Sequence, residues 1–327
     1  MKGKKYLYAH KFEGMPKVTD LQLVEEELPP VNDGDVLVEV ECLSMDPYMR
    51  PYAPQILKEG DVMINFFVAG KVIESKDETL PIGTKVVGPL GCRAHAVVPG
   101  KQLTKLDFLD DLSTSVGLGA AGMPGLTAYF GVLNILAPKE GETLYVNSAA
   151  GAVGAVVGQI AKIKGCRVVG SAGSDEKVAY CKSLGFDEVF NYKTVTSVED
   201  ALKAACPNGI DMFFENVGGP GFSKVIKLLN RSGRAAVCGA ISTYNSKEPV
   251  LIEDILWSLV ANRIKVQGFN VVQFDTEWPE ARKELVRWIK EGKIKIKEHI
   301  TNGFENLPKA LIELFTGSNF GKAVVVV

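Results

Sequence analysis

The chain has 327 residues, a formal net charge of −2, 46% hydrophobic and 23% charged residues. That is ordinary globular composition over a length that predicts roughly two domains, because single cores stop growing near ~250 residues. The near-neutral balance excludes the basic footprint of a nucleic-acid-binding protein or of a surface built for anionic membranes, while basic pockets for small anions stay open.

Met1–Tyr6 is basic, but Tyr6–His10 is too short for the apolar core of a signal peptide. The apolar stretch at 149–163 is interrupted by glycines and polar residues and falls short of a membrane span. We expect a cytoplasmic protein without stable membrane association. Its six cysteines include no C-x-x-C pair and read as reduced, mostly buried residues.

Up to about residue 120 the chain reads as short strands broken by Pro and Gly. Val36, Val38, Val40 and Cys42 share one face while Glu39 and Glu41 point the other way, the period-two pattern of a half-buried strand. Phe67–Ile73, Thr84–Gly88 and Ala94–Val98 read as further strands, and no helix of convincing length is expected there. From about residue 125 strands and helices alternate. Strands are expected at Thr143–Asn147, Arg167–Ser171, Asp187–Asn191, Ile210–Glu215, Gly233–Cys238 and Lys265–Phe269. Between them Val153, Val156, Val157, Ile160 and Ala161 mark one helix face, and helices fit Asp175–Leu184, Ser197–Ala205, Gly221–Asn230 and Glu253–Ala261. Six strands with helical crossovers predict a doubly wound parallel sheet. A helix at Leu307–Phe315 precedes a terminal strand at Gly321–Val327, which could join either half.

The sharpest local feature is Ser148-Ala149-Ala150-Gly151-Ala152-Val153-Gly154, set between a strand and a helix. Gly151 lets the backbone turn and approach a diphosphate, Gly154 lets the helix pack close to the strand, and the helix start offers free N–H groups. A purely structural strand-to-helix turn has the same composition; the six-strand alternation favours a dinucleotide site. An NAD site carries an acid at the tip of the second strand for the ribose hydroxyls. Here the tip reads Val169-Gly170-Ser171-Ala172-Gly173-Ser174, and Asp175 and Glu176 open the next helix, where its dipole favours acids. Lys177 can reach a 2′-phosphate and Tyr192 can supply a phenol, which points to NADPH/NADP+, although Lys177 also reads as a solvated helix-face residue.

Only three histidines (His10, His95 and His299) are present, and with the dispersed cysteines they offer no clustered donor set for zinc, so the expected metal site is none. No G-x-S-x-G or Walker sequence occurs. A nicotinamide coenzyme without a Lewis acid suits a conjugated enone or enal, whose developing oxyanion O–H donors can hold.

Four ordered motifs carry a resemblance: Ser44-Met45-Asp46-Pro47-Tyr48-Met49-Arg50, Gly122-Met123-Pro124-Gly125-Leu126-Thr127-Ala128-Tyr129, Glu215-Asn216-Val217-Gly218-Gly219, and the run from Cys238 to Asn245. Together, over essentially the whole chain, they resemble the zinc-independent medium-chain dehydrogenase/reductases, in the alkenal/one and prostaglandin reductase branch. The resemblance implies an α/β fold: a GroES-like substrate domain (1–122), a Rossmann domain (123–298) and a C-terminal segment returning to the first (299–327). It implies NADPH-dependent reduction of the α,β double bond of enals, enones and oxo-eicosanoids. Gly151, Ala152, Val153 and Gly154 then match the diphosphate positions, and Lys177 and Tyr192 the 2′-phosphate positions. Asn216, the run Cys238, Gly239, Ala240, Ile241, Ser242, Thr243 and Tyr244, and then Phe269, Asn270, Val271 and Asn319 match the rest of the coenzyme cleft. Tyr48 matches a tyrosine near the substrate carbonyl and also reads as a packed turn aromatic after Pro47.

The chain departs from the pattern twice: Ser148 opens the glycine turn in place of alanine, and Trp257 stands in the helix where relatives often carry a second substrate-side tyrosine. The second leaves substrate range open. A quinone reductase, a hydroxy-lipid dehydrogenase and a non-catalytic coenzyme-binding protein remain as alternatives. The apolar terminal strand and the edge of the nucleotide sheet make a homodimer conceivable.

Overall fold

The computed structural model describes all residues from Met1 to Val327. It divides into two compact units, Met1–Met123 with Glu298–Val327, and Pro124–Lys297. In chain order the elements begin with β1 (Lys2–Tyr8), β2 (Leu21–Glu27), β3 (Asp35–Ser44), α1 (Met49–Ile56), β4 (Val68–Ser75), β5 (Lys85–Gly88), β6 (His95–Pro99) and β7 (Thr104–Lys105). Then follow α2 (Met123–Phe130), β8 (Thr143–Val146), α3 (Gly154–Ile163), β9 (Arg167–Ala172), α4 (Asp175–Ser183), β10 (Glu188–Asn191), α5 (Val198–Ala205) and β11 (Ile210–Glu215). The chain continues through α6 (Pro220–Lys227), β12 (Leu229–Val237), α7 (Leu256–Asn262), β13 (Lys265–Gly268) and α8 (Trp278–Lys290), and ends with β14 (Glu298–Asn302), α9 (Leu307–Thr316) and β15 (Lys322–Val326).

The first unit pairs β1 with β2 and builds a seven-stranded sheet in the order β14-β15-β3-β4-β5-β7, with β6 also on β3. The apolar face expected in β3 is buried at Val36, Val38, Val40 and Cys42, but the other face is covered as well, since Leu37 is buried and Glu41 half-buried and only Glu39 is exposed. The terminal strand lies in this sheet, parallel to β14 and antiparallel to β3, so neither of its edges is free for another molecule. Its Ala323 and Val325 join Phe304, Leu307, Leu311 and Leu314 in one core with Tyr6, Tyr8, Val36 and Val38. The β1–β2 ribbon went unread in the sequence because charged residues line it: Lys2 faces Glu25 at 3.3 Å and Lys5 faces Glu26 at 2.9 Å, while backbone pairing and buried Tyr6 and Tyr8 hold it in place. Contrary to expectation this unit holds a helix, α1. Its prolines hid it, but Pro51 sits in the first turn, where an absent N–H leaves no bond unmade.

The second unit is a six-stranded, all-parallel sheet in the order β10-β9-β8-β11-β12-β13. This is the doubly wound order with its switch point between β8 and β11, and such sheets bind ligands outside the carboxyl ends of the strands. Three boundaries differ from the sequence reading. β12 starts at Leu229 through a register shift against β11, with Ser232 at φ 65°, so α6 stops at Lys227. α7 starts at Leu256, whose N–H is taken at 2.8 Å by the Asp254 carboxylate. α8, not anticipated, buries Ala281, Leu285, Val286 and Trp288. No helix is long and apolar enough to cross a membrane.

Candidate active site

The carboxyl end of β8 runs into the glycine turn. Ser148 adopts φ 50° and its carbonyl accepts the Gly151 N–H at 3.0 Å. A Cβ on Gly154 would lie 3.0 Å from the Ala149 Cα and press on the Ser148 carbonyl, so only glycine lets α3 start this close to the strand. The N–H groups of Ala152, Val153 and Gly154 donate to no acceptor in the chain, and the first turn of α3 carries no acid. Unspent amides at the positive end of a helix dipole fit a diphosphate.

At the tip of β9, Ser174 caps α4 by accepting the Lys177 N–H at 3.3 Å. Asp175 is bound at 2.8 Å by the side-chain amide of Asn191. The Tyr192 N–H donates to Ala172 O at 3.1 Å, which brings the phenol over Gly173, its oxygen 3.0 Å from where a Cβ would stand. Half-buried Lys177 has its ammonium pKa lowered, first by burial and then by the charge of Lys193. Two lysines and a phenol thus converge where an NAD site places a carboxylate, a set that fits a phosphate on the ribose. Lys193 was missed in the sequence, although its place directly after Tyr192 at the end of β10 was the available signal.

The switch point carries a polar knot. Asn147 accepts the Asn216 N–H on its side-chain oxygen at 2.8 Å and the Asn216 Nδ2 on its backbone oxygen at 3.0 Å. One of the two Asn216 Nδ2 hydrogens is thereby used inside the protein. Glu215, 1% exposed, accepts from Asn147 Nδ2 at 2.7 Å, Gly218 N at 2.8 Å and Val217 N through Oε1, while Oε2 is buried without a partner. Burial raises its carboxyl pKa despite those donors. The next strand end hangs on this knot: Glu215 O accepts the N–H groups of Cys238 (2.9 Å) and Gly239 (3.2 Å), Asn216 O accepts that of Ile241 (3.3 Å), and Val217 O accepts that of Ser242 (3.0 Å). Tyr244 folds back so that its hydroxyl takes the Ala240 N–H at 3.1 Å, and Thr243 Oγ1 donates to Ala240 O at 2.9 Å. Burial pushes the Cys238 thiol up to about 12, so it is a neutral lining group and not a nucleophile. Phe269 follows β13, with its N–H on Val237 O at 3.3 Å. Asn270 caps the next turn through Val272 N at 3.1 Å, and Val271 is buried with its carbonyl bonded by Trp278.

All these residues border the carboxyl edge of one sheet. Asn147 and Glu215, which do most to hold the edge, were given no role in the sequence reading, although Glu215 heads one of its four motifs. Tyr48 and Asn319 belong to the first unit. Asn319 is half-buried in the loop between α9 and β15. Tyr48 caps α1; its ring stacks on Phe66 (centroids 5.5 Å apart) and meets Tyr52 edge-on. The Phe66 N–H donates to the Tyr48 oxygen at 3.0 Å, and no acceptor in the chain takes the hydroxyl hydrogen. Burial, and then the charge of Asp46, raise the phenol well above its ordinary value, which makes it a neutral hydrogen-bond donor. No three His, Cys, Asp or Glu side chains converge as a metal site.

A doubly wound nucleotide sheet, together with a β-rich unit whose sheet the C-terminal strand completes, defines a class, and the chain belongs to the medium-chain dehydrogenase/reductase family. Residues 152–290 match the family model described as zinc-binding dehydrogenase, and residues 4–106 match the N-terminal domain of oxidoreductase. The chain is 48% identical to prostaglandin reductase 1 of Sus scrofa over 99% of both sequences. It is 40% identical to the NADP(+)-dependent 2-alkenal reductase of Nicotiana tabacum over 96% of this chain and 94% of that one. The structure of CurA from Vibrio vulnificus in complex with NADPH superimposes with a TM-score of 0.91 at 36% identity, covering 99% of each chain.

Proposed function

We propose that the chain is an NADPH-dependent oxidoreductase that reduces the α,β double bond of enals, enones and oxo-lipids such as oxo-eicosanoids. The observation that carries this reading is the Tyr48 hydroxyl, anchored through its oxygen by the Phe66 amide and with its hydrogen left to give. When bound, NADPH supplies a hydride for the β-carbon of the conjugated carbonyl. Negative charge then gathers on the carbonyl oxygen, and Tyr48 donates its O–H to that oxygen without ionising. The α-carbon takes its proton from water, so one hydride and one proton saturate the bond. The unspent amides of Ala152, Val153 and Gly154 hold the diphosphate, Lys177, Lys193 and Tyr192 the 2′-phosphate, and Asn216, the run Cys238–Tyr244, Phe269–Val271 and Asn319 the remainder.

The full-length similarity to a prostaglandin reductase and a 2-alkenal reductase supports the substrate class. The side chains assemble no zinc donor set, so the reaction we propose is zinc-independent. All six cysteines are free thiols, which suits a reducing cytoplasm. Two copies are proposed to associate along β13, an edge strand flanked by exposed Leu251, Leu256, Trp257 and Val260. Light scattering at micromolar concentration tests this; a monomer refutes it. The test of the reaction is NADPH oxidation followed with a 2-alkenal and with the saturated aldehyde of equal length. Turnover of the first alone is expected, and silence toward every enal and enone overturns the reading.

A further inference from the structure

The first unit buries a charge pair beside Tyr48. Lys322 of β15 and Asp46 are each 4% exposed, and the Lys322 ammonium lies 2.7 Å from Asp46 Oδ1 and 2.9 Å from the Met45 carbonyl that it also bonds. A buried ion pair adds little net stability, because desolvating two charges offsets their attraction, and an apolar pair of similar volume often does as well. The pair's place in the bonding pattern points to another role.

Asp46 Oδ2 accepts from the Ser44 hydroxyl, and the Ser44 carbonyl accepts from Asn65 Nδ2 at 2.7 Å. Asn65 Oδ1 in turn takes the Phe67 N–H at 3.1 Å, and the neighbouring Phe66 N–H holds the Tyr48 oxygen at 3.0 Å. The circuit therefore grips Tyr48 at both ends. Its backbone leaves the Met45–Asp46 turn that Lys322 bridges, and its hydroxyl sits on the segment that Asn65 fixes. The Met45 N–H also donates to Ala323 O at 3.1 Å, so the last strand meets this turn through backbone as well as side chain.

We propose that Lys322 and Asp46 are positioning residues for Tyr48: the C-terminal strand returns to the first unit to clamp the turn that aims the substrate-side hydroxyl. The inference rests on the role given to Tyr48 above. Neither residue touches substrate, and both act through the tyrosine.

The pair variant Asp46→Asn with Lys322→Met separates clamp from fold, since it removes the bridge without stranding a charge. Its melting temperature is expected within a few degrees of wild type and its NADPH affinity within about twofold, while kcat for a 2-alkenal falls by about 10- to 100-fold. In a Tyr48→Phe background the same pair should cost no further turnover, because residues acting through one group are not additive. A pair variant with wild-type kcat, or losses that multiply with that of Tyr48→Phe, overturns the proposal. Amide exchange of the 63–67 segment in the coenzyme-free protein tests the clamp without reference to any reaction. Faster exchange at Phe66 in the pair variant is expected, and unchanged protection refutes positioning. Wild-type silence toward enals would instead strike the proposed reaction.

Discussion

Asn147 and Asn216, 69 residues apart, clasp each other across the switch point of the parallel sheet through two hydrogen bonds of 2.8 and 3.0 Å. The clasp depends on Glu215, whose one bonded oxygen gathers Asn147 and two backbone amides while the other has no partner. Because burial raises this carboxyl above its ordinary value, the folded chain binds a proton that the unfolded chain has already released. Within that window stability falls as pH rises, and above it the full penalty remains. Glu215→Gln keeps the accepting oxygen and removes the penalty. Its melting temperature relative to wild type should therefore climb with pH from the ordinary carboxylate range upward, then level off. A pH-independent difference would show that folding does not raise the Glu215 carboxyl above its ordinary value.

At the β9 tip, Lys177→Ala should weaken NADPH by about 10- to 100-fold, the worth of one charge-assisted contact, and leave NADH nearly unchanged. Lys193→Ala should act in the same direction but less strongly, since Lys193 is exposed where Lys177 is half-buried. Fluorescence titration with both coenzymes checks this. Equal losses for NADPH and NADH would remove the 2′-phosphate role.

Much of this architecture is legible in the amino-acid order because periodicity reports burial. Val36, Val38, Val40 and Cys42 announce β3, and the strand–helix alternation after residue 125 announces the parallel sheet. What stayed hidden lacks an apolar signature. β1 buries only the side chains of Tyr6 and Tyr8, after Lys2, Lys4 and Lys5, and β2 ends in Glu25, Glu26 and Glu27, too sparse an apolar pattern to mark a strand. α1 is disguised by Pro51 and Pro54, and β12 begins through a register shift that no local pattern marks. The glycine turn and Lys177 could be read from neighbouring residues. Asn147 with Asn216, and Asp46 with Lys322 across 276 positions, are polar contacts that only the folded chain brings together.

Tyr48→Phe keeps the ring stacked on Phe66 and deletes the hydroxyl that the Phe66 amide anchors. Removing one donor to a developing oxyanion lowers kcat by about 100- to 1,000-fold in comparable sites, and that range is expected here with NADPH affinity intact. Because burial and Asp46 hold the phenol above its ordinary value of 10.0, Tyr48 stays protonated below that pH. Wild-type kcat should show no alkaline fall from this group under pH 10, the ordinary phenol value it exceeds. A Tyr48→Phe enzyme with normal kcat on enals would remove the residue from the reaction.

Two glycines in the coenzyme unit should respond to the same substitution in opposite ways. A Cβ on Gly154 would press on the Ser148 carbonyl and stand 3.0 Å from the Ala149 Cα, both main-chain atoms that cannot retreat without moving α3 off the strand. Gly154→Ala is therefore expected to cost about 1–3 kcal/mol of stability and to weaken NADPH and NADH together, because the amides proposed to hold the diphosphate move with the helix. A Cβ on Gly173 would meet only the far end of Tyr192, 3.0 Å away on a side chain 48% exposed and free to swing. Gly173→Ala should melt near the wild-type temperature and lose part of its preference for NADPH while holding NADH as before. Melting curves and titrations with both coenzymes separate the two cases. A Gly173→Ala protein that weakens both coenzymes equally would mean that Tyr192 supports the turn and does not read the phosphate.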